Sequence, residues 1–210
     1  MKIEQVAYIL CKQLHRTSCE IMGREVAEIV AQHSIGAAVA GLASGWVPAG
    51  GQAIATTIAV GFIWGMYFRI SSKIGLPFNK HILKTLATAI GTNLVVAVGS
   101  EILAMVAAFG LSFIPVIGGM ASATIMAAVT YSLTWTSGLI YLKVLSKFAE
   151  RNVDFNSITA DDLKSMARDV MDSENLKEMM KDAKEQFKKA KSAGMIRKGM
   201  QTVDPMKDEA

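Results

Sequence analysis

Two stretches of the chain, Ile29 to Phe68 and Ile102 to Leu142, contain no Asp, Glu, Lys or Arg. Runs of this length and polarity belong in lipid, because about 20 apolar residues suffice for one crossing. Each run is interrupted near its middle by a proline followed by a glycine pair, Pro48-Ala49-Gly50-Gly51 in the first and Pro115-Val116-Ile117-Gly118-Gly119 in the second. Proline ends a helix and glycine takes the turn. The expected fold is an all-α integral membrane protein with four membrane helices in two hairpins, turned at Pro48, Gly50, Gly51 and at Pro115, Gly118, Gly119. The division is an amphipathic helix over 1–33, a membrane domain over 34–149 with hairpins at 34–70 and 80–149, and a charged helical tail over 150–210. Arms of about 18 residues would measure about 27 Å, slightly short of a hydrocarbon core near 30 Å. Full spans and re-entrant hairpins both remain open.

Charge is unevenly distributed along the sequence. Residues 1–149 carry ten Lys or Arg against five Asp or Glu, and residues 150–210 carry twelve against thirteen. Arg24, Arg69, Lys73, Lys80, Lys84, Lys143 and Lys147 gather at the hairpin bases, while the turns carry no charge. By the positive-inside rule, the bases and both termini face the cytosol, which places the protein in the inner (cytoplasmic) membrane. The start of the chain lacks the long apolar core of a secretory signal. The small basic excess is thus explained by topology, and no nucleic-acid role is expected. Cys11 and Cys19, read as two residues of one helix over 3–30, would lie about 12 Å apart along its axis and stay reduced.

Small residues recur every four positions as Gly36, Ala40, Ser44 and as Ala37, Gly41, Gly45. Beyond the first turn, Ala53, Thr57, Gly61 and Gly65 repeat the spacing, so the first hairpin is expected to zip along its own small faces. Gly119, Ala123 and Ala127 follow Gly51, Ala55 and Ala59 by 68 positions, which suggests an internal repeat. Such faces, with short arms, favour a homo-oligomer. Gly75-Leu76-Pro77 marks a helix stop, and Asn79 a cap for the next helix.

In the tail, Thr159 and Asp162 form a helix-start signal. Leu163, Met166 and Val170 then make one apolar stripe, and Leu176, Met180 and Phe187 contribute to a second. A methionine-rich stripe of this kind suits partner docking, and the competing reading is that it docks beneath the chain's own bundle.

Glu101 is the one acidic residue between Glu28 and Glu150. An intramembrane carboxylate is read either as part of an ion or proton pathway or as a polar lock, with Asn93 among its possible partners. His15, His33 and His81 lack the neighbours a metal site requires. No phosphate loop and no nucleophile with its base is evident. The expectation is a non-enzymatic protein without catalytic residues, metal or cofactor. Its alternatives are a channel, transporter or pore-former with Glu101 near the pathway, and a soluble bundle that buries its apolar hairpins.

Between about residues 46 and 149 the sequence resembles the bacterial GTPase-associated membrane domain, the YcjF-like kind. The matching elements are Val47-Pro48 with Gly50, Gln52 and Met66, then Gly75, Ile114-Pro115 with Gly118, and Thr134, Gly138 and Tyr141. The resemblance implies a membrane-bound accessory to a GTPase. Because this sequence has no GTPase domain, such an enzyme would act in trans, with the tail as its contact.

Overall fold

The structure, a computed structural model, describes residues 2–44, 51–99, 118–197 and 200. Among these, seven helices form and no strand: α1 Ile3–Gln13, α2 Cys19–Ser44, α3 Gly51–Ile74, α4 Lys80–Ala97, α5 Gly118–Glu150, α6 Ala160–Ser173 and α7 Leu176–Ser192. Among the described residues, three segments are long and apolar enough to cross a membrane: Cys19–Ser44, Ala53–Ile74 and Ala123–Glu150. The helices exceed the expected arms, because α2 and α5 continue well past the charge-free stretches. At 1.5 Å per residue α2 is about 39 Å long and α5 about 50 Å.

The single amphipathic helix expected at the N-terminus is broken in two. His15 and Ser18 take positive φ, 52° and 56°, and reverse the chain, so α1 folds back antiparallel on α2. Gln13 then reaches α5, accepting a hydrogen bond from Ser146 Oγ at 2.7 Å and donating to Glu150 Oε1 at 3.0 Å. The same reversal brings the Cα atoms of Cys11 and Cys19 to 5.4 Å and joins the pair in a disulfide. The expectation of two distant thiols failed because it assumed one continuous helix.

Several local signals act as read. Gly75 takes φ 69° and Leu76 N–H donates back to Ser71 O, closing α3, while Asn79 Oδ1 accepts from Ile82 N–H to open α4. Thr159 and Asp162 make a reciprocal capping box on α6. The glycines expected in the two turns, Gly51, Gly118 and Gly119, stand instead in the first turns of α3 and α5. Pro48, Gly50 and Pro115 lie outside the described residues.

The organising element is α5. Of its apolar window, 94% is buried, against 56% for α2 and 39% for α3. All six other helices pack on it or on its neighbours: α2, α3 and α4 follow one another around it, α6 packs against both α4 and α5, and α7 and α1 cover the remaining sides. Helix α2 runs antiparallel to α5, pairing Ala37 with Thr130 and Val30 with Gly138. Helix α3 runs parallel to it, pairing Tyr67 with Ser137 and Ser71 with Tyr141.

The small-residue ladders of α2 divide between two partners: a Cβ added to Gly36 would lie 2.5 Å from Phe62 Cε1 of α3, the helix expected, whereas the other ladder meets α5. A Cβ added to Gly41 would lie 2.9 Å from Met126 O and 3.0 Å from Ala127 Cα, both on α5. The Ala37–Gly41 face thus seats on α5, where Ala127 is fully buried. A Cβ on Gly61 would meet nothing within 4 Å, so that rung of the proposed α3 ladder makes no close approach. Gly65 is buried and Ala123 half-buried.

Candidate functional site

Helix α5 carries an unusual density of hydroxyls in its middle, and Thr130, Ser132, Thr134, Thr136 and Ser137 are all fully buried. A hydroxyl in an apolar interior is costly unless bonded. Most are satisfied between helices. Thr130 Oγ1 donates to Ala37 O of α2 at 2.8 Å. Tyr67 Oη of α3 lies 2.6 Å from Ser137 Oγ, and Tyr141 Oη lies 2.5 Å from Ser71 Oγ. The two tyrosine rings stack with centroids 4.0 Å apart. This double tyrosine clasp fixes the register of α3 on α5. Ser132 Oγ and Thr134 Oγ1 have no hydrogen-bond partner among the described residues.

The tail stripe faces this helix directly. Leu163, Met166, Val170, Met180 and Phe187 are buried and Leu176 is half-buried. Phe187 meets Tyr131 edge-on with centroids 5.7 Å apart, and Thr136 Oγ1 lies 3.4 Å from Met180 Sδ. Lys143 Nζ pairs with Glu174 Oε1 at 2.6 Å where α6 passes into α7. Helix α7 therefore runs antiparallel along α5 from the level of Lys143 to that of Thr124, where Lys191 Nζ approaches the Thr124 hydroxyl at 3.4 Å. The stripe read as a partner contact is occupied by the chain itself.

What α7 turns outward is charge. Lys177, Glu178, Lys181, Asp182, Glu185, Lys188, Lys189 and Lys191 are exposed. Lys188 donates to Glu185 at 2.8 Å and holds that carboxyl below the usual glutamate range. Opposite this flank, α2 and α3 keep the less completely buried apolar windows.

Of the other residues singled out, Asn93 is half-buried on α4 and lines a groove toward α6. Glu101 lies outside the described residues. His33 is buried, with Nδ1 2.8 Å from Ile29 O, the local contact of a packing histidine. Among the described residues, no three His, Cys, Asp or Glu side chains gather to hold a metal ion. Sequence reasoning passed over the run from Thr130 to Ser137. Its alternation of hydroxyls with Tyr131 and Trp135 was the available signal. No family model, curated protein or solved structure matches the chain.

Proposed function

We propose that the chain is a non-enzymatic membrane anchor or adaptor that self-associates in the inner membrane, keeps the Lys- and Arg-bearing helix bases toward the cytosol, and serves a cytosolic partner such as a GTPase acting in trans. The observation that carries this reading is that, among the described residues, three helices are long and apolar enough to cross a membrane, of which α2 and α3 are the less completely buried. Helix α7 spends its apolar stripe on α5 and presents a charged outer face. Partner contact accordingly shifts from Leu163, Met166, Val170, Leu176, Met180 and Phe187 to the charged residues between them. The test is proximity capture in intact cells. Lys181→Glu with Lys188→Glu is expected to abolish capture and leave the protein in the membrane pellet after alkaline carbonate. Undiminished capture by this variant contradicts the adaptor surface, and release by carbonate contradicts the anchor.

A second reading, a channel or pore with Glu101 near its pathway, draws support from the buried hydroxyls of Ser132 and Thr134, which have no partner among the described residues. Conductance of the purified protein in liposomes, with ion selectivity altered in Glu101→Gln, supports it. A silent bilayer at high protein density removes it.

A further inference from the structure

Helices α4 and α6 enclose an open groove of about 660 Å³ whose lining includes His81, Lys84, Thr88, Thr92, Lys164 and Arg168 and contains no carboxylate. The cations come from both walls. Lys164 and Arg168 stand one turn apart on α6, and Lys84 projects from α4 with its ammonium 5.5 Å from the Trp64 ring centroid. One turn earlier, Lys80 stands over Phe68 at 5.4 Å, so this end of α3 and α4 carries the mixture of aromatic and basic residues found at headgroup level. Lys164 pairs with Asp161 at 3.0 Å, but Asp161 is an exposed neighbour outside the lining. The other acids of α6, Asp162, Asp169 and Asp172, are outside it as well.

The exposed stripe of α4 also changes character along its length. Lys84, Thr88, Thr92 and Val96 follow at intervals of four residues, all exposed, passing from cation through two hydroxyls to an aliphatic side chain that is 79% exposed. The whole change takes about 18 Å of helix. A soluble phosphate would use only the cationic end. A phospholipid uses both kinds of surface, with its phosphate among the lining cations Lys84, Lys164 and Arg168 and its apolar part along α4 toward Val96, which lies beyond the groove's lining. Basic pockets between helices near the cytosolic face are suited to anionic headgroups.

We infer that the α4–α6 groove binds the phosphate of an anionic phospholipid. The inference rests on the membrane reading and adds to it a specific lipid seat. It is tested on the full chain purified in mild detergent, by native mass spectrometry with added phosphatidylglycerol or phosphatidylcholine. One phosphatidylglycerol is expected to stay bound, with phosphatidylcholine much weaker. Lys164→Gln with Arg168→Gln is expected to reduce retention at least about tenfold, from two charges near the phosphate. Lys181→Gln with Lys188→Gln, which removes equal charge from the outer face of α7, is expected to retain the lipid. Equal losses in the two variants overturn the site in favour of general charge attraction. Displacement of the lipid by inorganic phosphate at equal concentration overturns the assignment to a lipid. If the double variant fails its thermal-melt check, Lys84→Gln tests the same seat from α4, and unchanged retention in that variant overturns the inference. Carbonate extraction of the same membranes separates the two claims. A chain that stays in the pellet but retains no phosphatidylglycerol overturns the groove alone, whereas release into the supernatant overturns the membrane reading and the groove with it.

Discussion

Gly41 and Gly61 look alike in the sequence, each a rung of a four-residue ladder, yet the structure uses them differently. At Gly41 the backbone of α5 comes so close that a methyl group would sit 2.9 Å from a carbonyl oxygen, and the two helices would have to part. At Gly61 a methyl group would enter open space. Gly41→Ala is therefore expected to destabilise the protein by about 1–3 kcal/mol through overpacking. Gly61→Ala is expected to be neutral, or to stabilise by up to about 1 kcal/mol through helix propensity. Thermal unfolding of the two variants in the same detergent checks both. Periodicity revealed that small faces existed but not which helix each would meet, because a glycine carries no chemical mark of its partner. The tyrosine clasp was similarly hidden, since nothing in the sequence sets Tyr67 opposite Ser137 or Tyr141 opposite Ser71 until α3 and α5 are laid parallel.

At the scale of elements, ends were legible and one interior break was not. Asn79, Thr159 and Asp162 cap helices by local hydrogen bonds between residues three apart, which a sequence displays directly. The break between α1 and α2 has neither proline nor glycine, and the apolar spacing continues through it. What stabilises the reversal is remote: the docking of Ile3, Val6 and Leu10 in the core and of Gln13 on Ser146. The Cys11–Cys19 bridge adds to that docking. Closing so short a loop contributes about 2.5 kcal/mol by chain entropy. Cys11→Ser with Cys19→Ser is expected to lower thermal stability by that order while leaving helix content unchanged by circular dichroism. Alkylation of freshly lysed cells tests the proposed orientation: two thiols are expected where the N-terminus faces the cytosol, with the bridge forming on purification in air.

The capping box on α6 sets a pH dependence. Hydrogen bonds from the Thr159 side chain and backbone lower the Asp162 carboxyl below its ordinary value of 3.8. A carboxyl lowered on folding stabilises the folded state above the unfolded value, and this contribution is lost as pH falls through the folded value. The difference in melting temperature between the wild type and Asp162→Asn is therefore expected to be constant above about pH 5 and to close in acid below the unfolded value. A gap that persists unchanged into strong acid contradicts this origin.

Among the described residues, a central apolar helix is wrapped by six others, and the tail belongs to that wrapping. Composition separates residues 1–149 from 150–210 as apolar and charged parts, yet the apolar stripes of α6 and α7 pack on α4 and α5. Charge content describes the outside of a helix and says little about what its buried face meets. Phe187, only 1% exposed against Tyr131, is the anchor of the cover. Phe187→Ala is expected to cost about 3–5 kcal/mol, and deletion of residues 157–198 to expose α5 and cause aggregation rather than leave a stable membrane core. Lys181→Ala, on the outer face, is expected to change stability by less than about 0.5 kcal/mol.

The central claim, that α7 lies along α5 instead of hanging free in the cytosol, is tested most directly by photocrosslinking in native membranes. With a benzoylphenylalanine in place of Phe187, illumination is expected to join position 187 to α5 of the same chain near Tyr131, mapped by mass spectrometry of the monomer band. Crosslinks solely to lipid or to other proteins, with none to α5, would contradict it.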